Sequence, residues 1–203
     1  MSVPEGERHG AFLFPTTMNT LLTTSTLNNY LDSKELRLVP ISHDIEAARY
    51  QAVLNNIDAL SQHFTWCPTT FNRNNNDRQI ASRIIRHNRG LAYYFVLVNA
   101  EEEVVGEIGI DSIFQRQRTG NVFYWICRSH RRKGWATLAL KSLANLAKTL
   151  PQIDHLLIRM QVDNTGSQKA AKNAGAVYQK TQWGFVRASS KHCLLHAYKL
   201  DLR

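Results

Sequence analysis

An α+β fold around one mixed sheet is what this chain predicts, on three observations. First, residues 91–127 hold three runs of aromatic and β-branched side chains separated by short polar turns, the pattern of neighbouring strands. Second, the later part alternates strand-like and helix-like segments in a β-α-β-α-β order. Third, a basic turn, His130-Arg131-Arg132-Lys133-Gly134, joins an apolar aromatic strand directly to a long helical pattern.

Size and charge narrow the choice further. A chain of 203 residues suits one full domain with a sizeable core. Its formal net charge of +9 favours anionic ligands or partners: a phosphorylated cofactor, nucleic acid, or an acidic protein surface. Cys67, Cys127 and Cys193 lie far apart without CxxC spacing, which argues against a disulfide scaffold or a metal site and fits a reducing cytoplasm. No apolar run approaches the ~18 residues a membrane span needs, and residues 11–30 make a poor secretory signal.

In chain order, residues 1–32 show no sustained period and read as a loosely ordered arm, with a short helix at 19–31 as an option. Residues 33–203 form the folded domain. A short strand at 35–39 meets Pro40; Ser42 or Asp44 then caps a helix with Ala47, Tyr50, Leu54 and Ile57 on one face. A second helix follows at 58–64 and a turn at Trp66-Cys67-Pro68. A polar breaker at 72–77 leads to a basic helix at 77–89 that stops at Gly90. Strands are expected at 91–98, 104–113 and 121–127, then a helix at 134–150 closed by Pro151. A strand at 155–162, a helix at 167–174 ending at Gly175, and strands at 176–182 and 192–200 complete the chain.

The basic turn carries the first functional signal. A helix N-terminus leaves backbone N–H groups unpaired and partly positive, and glycine lets a ligand approach the backbone. Residues 130–137 therefore read as a pyrophosphate cradle or, blandly, as a solvated loop.

Arg131-x-x-Gly134-x-Ala136, set between a strand and a helix, resembles the acetyl-CoA signature Q/R-x-x-G-x-G/A of GCN5-related N-acetyltransferases (GNAT). Asn164-Thr165-Gly166-Ser167 followed by Gly175 resembles that family's N-x-x-S…G segment. Leu36-Arg37-Leu38 and Tyr124-Trp125 are similar to the RimJ/RimL-type branch, which includes acetylases of ribosomal-protein N-termini. The resemblance covers residues 34–200.

That resemblance implies a GNAT-type fold: a mixed, mostly antiparallel sheet of about six or seven strands, splayed at the centre and flanked by helices. It implies acetyl-CoA as co-substrate, with the pantetheine arm lying between strands 121–127 and 155–162. Backbone groups near Ile126 and Cys127 would hold the arm. The cradle Arg131, Arg132, Lys133, Gly134, Trp135, Ala136 and Thr137 would hold the pyrophosphate through N–H groups from Arg132 to Thr137. Trp135 packs either on the core or on the cofactor. Asn164 either contacts the pantetheine or caps the next helix. Lys172 either meets the adenosine 3′-phosphate or is a solvated lysine.

Acetyl transfer to an amine needs a base, a polarised thioester and a proton for the leaving thiolate. Where many relatives place a tyrosine acid, this chain has Ala171. Ser167 is the RimJ/RimL-type alternative donor, or simply a first-turn helix residue, and Tyr178 is a weaker substitute. Where many relatives carry a glutamate, this chain has Asn121. Glu107, Asp111 or His196 could serve as base instead, the carboxylates being otherwise surface groups. A water chain would also suffice, since an α-amino group has a pKa near ~8. Cys127 lacks any neighbour that would make it a nucleophile.

The expected function is a cytoplasmic, acetyl-CoA-dependent N-acetyltransferase acting on a protein N-terminal α-amine, with an acidic or ribosomal protein as acceptor. A small-molecule amine or antibiotic is the alternative acceptor. A second class is a regulatory protein binding acetyl-CoA or RNA, using the basic run 128–133 on phosphates. Monomer and homodimer both fit, with no metal and no membrane.

Overall fold

β1 (Leu36–Pro40), β2 (Tyr93–Asn99), β3 (Val104–Phe114), β4 (Thr119–Ile126), β5 (His155–Gln161), β6 (Val177–Val186) and β7 (Lys191–Asp201) form one sheet in a computed structural model. The structure describes residues 36–186 and 191–203, so the expected arm at 1–32 and the domain boundary at 33 lie outside it. The strand order is β1-β2-β3-β4-β5-β7-β6. Every neighbouring pair is antiparallel except β4 and β5, which are joined by a helical crossover and run parallel.

The β4–β5 pairing is short. Its register runs from Thr119 opposite His155 to Val122 opposite Ile158 and then stops. Beyond that point β4 continues to Ile126 against β3, while β5 continues to Gln161 against β7. The two parallel strands therefore part, leaving a gap at the middle of the sheet.

Helices cover both faces. α1 (Glu46–Leu54), α2 (Ile57–His63) and α3 (Arg73–Asn88) pack on one side, where Val53, Leu60, Cys67 and Phe71 meet Trp125, and Ile80 meets Tyr94. α4 (Trp135–Ala147) and α5 (Thr165–Asn173) lie on the other, where Leu140, Leu143 and Ala147 pack on Tyr93, Phe95 and Ile108. Tyr93, Phe95 and Leu97 thus face α4 while Tyr94 faces α3, because side chains alternate along a strand.

Three boundaries differ from the sequence expectation, each for a local reason. α3 begins at Arg73, because Asn72 accepts from the Asn75 N–H while the Asn75 side chain accepts from the Asn72 N–H. This reciprocal cap turns the expected polar breaker into a first helical turn. α5 begins at Thr165, with Asn164 as its cap. It ends at Asn173, and the chain turns away at Gly175, whose φ of +95° suits glycine, with Ala176 and Gly175 N–H groups bonded back to Ala171 and Lys172 carbonyls. β6 and β7 extend into a long hairpin beyond the two short strands expected.

Glu107, expected at the surface if not catalytic, is only 1% exposed at the centre of β3. Arg49 of α1 donates to it at 2.5 Å, Arg83 of α3 at 2.9 Å and the Trp125 indole N–H of β4 at 2.9 Å. Arg49 also donates to Asn76 at 2.6 Å. Burial alone would raise the Glu107 pKa, but the Arg49 and Arg83 charges and the bonds from Arg49 and Trp125 outweigh it and hold the carboxyl at about 2. This node ties two helices and two strands together.

Removing one partner from a buried ion cluster costs about 3–5 kcal/mol, and Glu107→Gln is expected to fall in that range at pH 7. Because the folded pKa lies below the ordinary carboxylate value of 4.5, the stabilisation is present above that pH and is lost as the pH falls toward 2. Urea melts should therefore show a gap between wild type and Glu107→Gln that is wide at pH 7 and narrows in acid. Equal midpoints at pH 7 would show that the node carries no stability.

Candidate active site

The gap between β4 and β5 opens into two grooves that meet. The first, about 990 Å³, is lined by the end of β4, the turn after it, the N-termini of α4 and α5, and α2. The second, about 1140 Å³, runs between α3, the β3–β4 surface, β5 and the β6–β7 hairpin. His63, Phe64, Tyr124, Asn164 and Ser167 line both, so the grooves join at those side chains.

The first groove has the features of a phosphate cradle. Arg132 and Gly134 both adopt left-handed backbone, with φ of +67° and +81°. The first i→i−4 bond of α4 runs from Leu138 to Gly134, so the N–H groups of Trp135, Ala136 and Thr137 have no intrahelical partner. A Cβ placed on Gly134 would meet nothing within 4 Å, so this position faces open space. Arg131, Arg132, Gly134, Trp135, Ala136 and Thr137 all line the groove, together with Ile126. In an antiparallel ladder alternate residues turn their backbone groups away from the partner. Cys127 donates its N–H to Val105 at 2.8 Å, so Ile126 and Tyr124 present their backbone groups to the gap instead.

Three expected cofactor contacts are not brought to the groove. Cys127 has both backbone groups engaged, its carbonyl accepting from His130, and its thiol is pushed up to about 11 mainly by burial. Lys133 lies over the Trp135 ring at 4.8 Å, and His130 stacks on the same ring at 5.3 Å. Trp135 is itself buried in the core cluster while its edge borders the groove. Lys172 points to the Tyr198 ring at 6.0 Å, whereas Lys169, nearly one turn earlier on α5, lines the groove. The arginines and lysine of the basic run 128–133 stay exposed, with Arg131 donating to the Ile126 carbonyl at 3.3 Å.

Asn164 caps α5, its side-chain oxygen accepting from the Ser167 N–H at 3.0 Å, and also lines both grooves. Ser167 lies 2.6 Å from the Tyr124 hydroxyl, which also donates to the Ser167 carbonyl at 3.1 Å. Burial, only partly offset by the Ser167 contact, pushes the Tyr124 phenol up to about 12. At neutral pH Tyr124 therefore keeps its proton. Its chemical role is not legible in the sequence because the pairing joins residues 124 and 167 across the splayed strands.

The base candidates separate cleanly. Glu107 is sealed behind β4 by two guanidiniums and an indole, so an ionised carboxylate with a pKa of about 2 is a poor proton acceptor there. Ala171 is fully buried and faces the core. His196 bonds Thr181 at 2.7 Å and Tyr178 bonds the same Thr181 at 2.8 Å, outside both grooves. Asp111 does line the second groove, at a bulge where β3 shifts register between Ile110 and Ser112. Its carboxylate accepts from Asn121 at 2.9 Å, and Asn121 in turn accepts from Arg159 at 3.0 Å.

A splayed parallel pair beside a left-handed, amide-lined turn defines a class of enzyme that seats an extended acyl thioester in a sheet. Residues 35–177 match the family described as the acetyltransferase (GNAT) domain, and the chain belongs to that family; it is an N-acetyltransferase. The chain is 24% identical over 147 residues to the ribosomal-protein-serine acetyltransferase of Escherichia coli K12, covering 72% of this chain and 82% of that one. Its fold is similar to that of RimL, a ribosomal L7/L12 α-N-protein acetyltransferase solved with coenzyme A, with a TM-score of 0.76 at 20% identity over 83% of this chain and 95% of the other. The microcin C7 self-immunity acetyltransferase MccE, solved with acetyl-CoA and AMP, gives 0.75 at 17% identity over 83% and 93%. No helix among the described residues is long and apolar enough to cross a membrane.

Gly134 supplies a direct check on the cradle. Gly134→Ala should cost roughly 1 kcal/mol through its left-handed backbone. Gly134→Glu should also abolish acetyl-CoA binding in calorimetry, because a carboxylate would occupy the space beside the unpaired amides. Unchanged affinity in Gly134→Glu would remove the pyrophosphate assignment.

Proposed function

We propose that this chain transfers the acetyl group of acetyl-CoA to the α-amine of a protein N-terminus, by direct attack in a ternary complex. The observation that carries this reading is the meeting of the two grooves at Tyr124 and Ser167. Acetyl-CoA enters from the cradle side and the amine from the other. Bringing both substrates to one junction supplies much of the acceleration, so no covalent intermediate is needed. The relatives named for ribosomal-protein serine and for L7/L12 support a protein acceptor, and three free cysteines suit a cytoplasmic setting.

The residues divide the work as follows. Free amides of Trp135, Ala136 and Thr137, with Arg131 and Arg132, hold the pyrophosphate. Backbone groups of Tyr124 and Ile126 hold the pantetheine arm like an added strand. As the C–S bond breaks, Ser167 gives its hydroxyl proton to the thiolate, Tyr124 resupplies Ser167 through their 2.6 Å contact, and the proton released by the amine returns to Tyr124 through groove water. The attacking amine passes its proton to groove water or to the imidazole of His63, the other ionisable side chain at the junction. An α-amine, with a pKa near ~8, is already partly neutral when it arrives.

Acetyl-CoA should raise the melting temperature, and mass spectrometry should show acetylation of the N-terminal amine of synthetic peptides that carry ribosomal-protein N-terminal sequences. Release of CoA without peptide modification would redirect the reading to small amines. Ser167→Ala should lower kcat by about 10²-fold, the scale of a lost general acid, with little change in KM for acetyl-CoA. Tyr124→Phe should lower kcat less, and the double variant should be little worse than Ser167→Ala, since the two act as one unit. Wild-type turnover in both single variants would remove the relay.

A further inference from the structure

The second groove carries more positive charge than its chemistry uses. Among the described residues Arg78, Arg83, Arg86 and Arg159 line it, against one carboxylate, Asp111. Arg83 is spent on Glu107. The donors of Arg86 and Arg159 go to neutral acceptors. Arg86 donates to the Tyr94 hydroxyl at 2.9 Å and the Asp111 carbonyl at 2.6 Å. Arg159 donates to the Asn121 side-chain oxygen at 3.0 Å. Among the described residues no carboxylate forms an ion pair with Arg78, Arg86 or Arg159. Behind the groove wall the Glu107 node adds a further excess, since Arg49 and Arg83 together outnumber its single negative charge.

The charges are also ordered in space. Arg78, Ser82 and Arg86 recur at i, i+4 and i+8 on α3, and all three line the groove. At about 1.5 Å per residue this stripe is about 12 Å long. An extended peptide rising ~3.3 Å per residue would pass three or four residues along it. Arg159 on β5 faces it from the opposite wall, and Trp183 on the hairpin offers an exposed aromatic shelf, 69% accessible. One end of this slot is the junction at Tyr124 and Ser167, where the amine must arrive.

We propose that Arg78, Arg86 and Arg159 select acceptors whose N-terminal amine is followed within a few residues by aspartate or glutamate. This rests on the N-terminal acetylation reading and names the sequence class that it takes. A basic acceptor would bring like charge into a groove whose arginines already lack counter-ions, a repulsion that discriminates more strongly than a missing attraction. The same groove must deliver an amine to the junction, which favours a peptide over a nucleic acid as its occupant.

The test uses the full chain, acetyl-CoA and three peptides with the same first residue and acidic, neutral or basic side chains at positions two to five. The acidic peptide should show kcat/KM at least about tenfold above the basic one, a margin that shrinks as salt is raised. In Arg78→Glu/Arg159→Glu the ratio of acidic to basic rates should invert; because both rates come from the same protein, partial loss of fold does not affect the ratio. Equal rates for acidic and basic peptides in the wild type overturn the proposal and leave N-terminal acetylation standing. Acetylation of a small amine such as a polyamine, with no peptide modified, overturns the parent reading as well. Competition by a short single-stranded RNA that the double variant escapes, with no preference among peptides, would assign the arginines to nucleic acid and overturn the peptide claim.

Discussion

Everything functional in this protein depends on one constraint in the sheet: the parallel pairing of β4 and β5 ends at Val122 and Ile158. Had it continued, the backbone groups of Tyr124 and Ile126 would be spent on β5, and a bound thioester would have no edge to join. Each strand finds its hydrogen bonds elsewhere past the divergence, β4 with β3 and β5 with β7, so the gap costs no orphaned ladder on those sides. Tyr124 reaches across the gap to Ser167.

A strand that leaves its neighbour needs another brace, and the Glu107 node provides it. Trp125 donates its indole N–H to Glu107 on the face opposite Tyr124. Arg49 and Arg83 fasten the same carboxylate to α1 and α3. The side of β4 that faces α1 and α3 is thereby fixed, while the other side carries Tyr124 toward α5. Glu107, a candidate base from the sequence, is instead part of the mount on which β4 is held. The adjoining Asn56 side chain, accepting from the Arg128 N–H at 2.8 Å, extends that bracing to the start of the cradle.

Electrostatics divide the cleft. The cradle side combines unpaired backbone amides at a helix N-terminus with Arg131, Arg132 and Lys169, which suits a pyrophosphate. The opposite side is lined by guanidiniums, and its one carboxylate is tied to an amide. Among the described residues neither side presents the clustered acidic residues that would favour a polycationic acceptor.

Sequence alone determined the order of elements, the glycine turn into α4 and the family, because these are written in local patterns. Period-two runs mark strands, Gly134 before a helical period marks an amide-lined turn, and Asn164 with Ser167 marks a helix start. Residues 72–77 read as a breaker because a cap built from two asparagines lacks the usual Ser/Thr–Glu form. What only the tertiary structure decided are relations between distant segments: Glu107 buried between residues 49 and 83, Tyr124 against residue 167, and Lys169 in place of Lys172 at the groove. Alternation along a strand tells which residues share a face, but not which face is covered. That depends on where helices far away in sequence come to rest, and so did the roles of Glu107 and Tyr124.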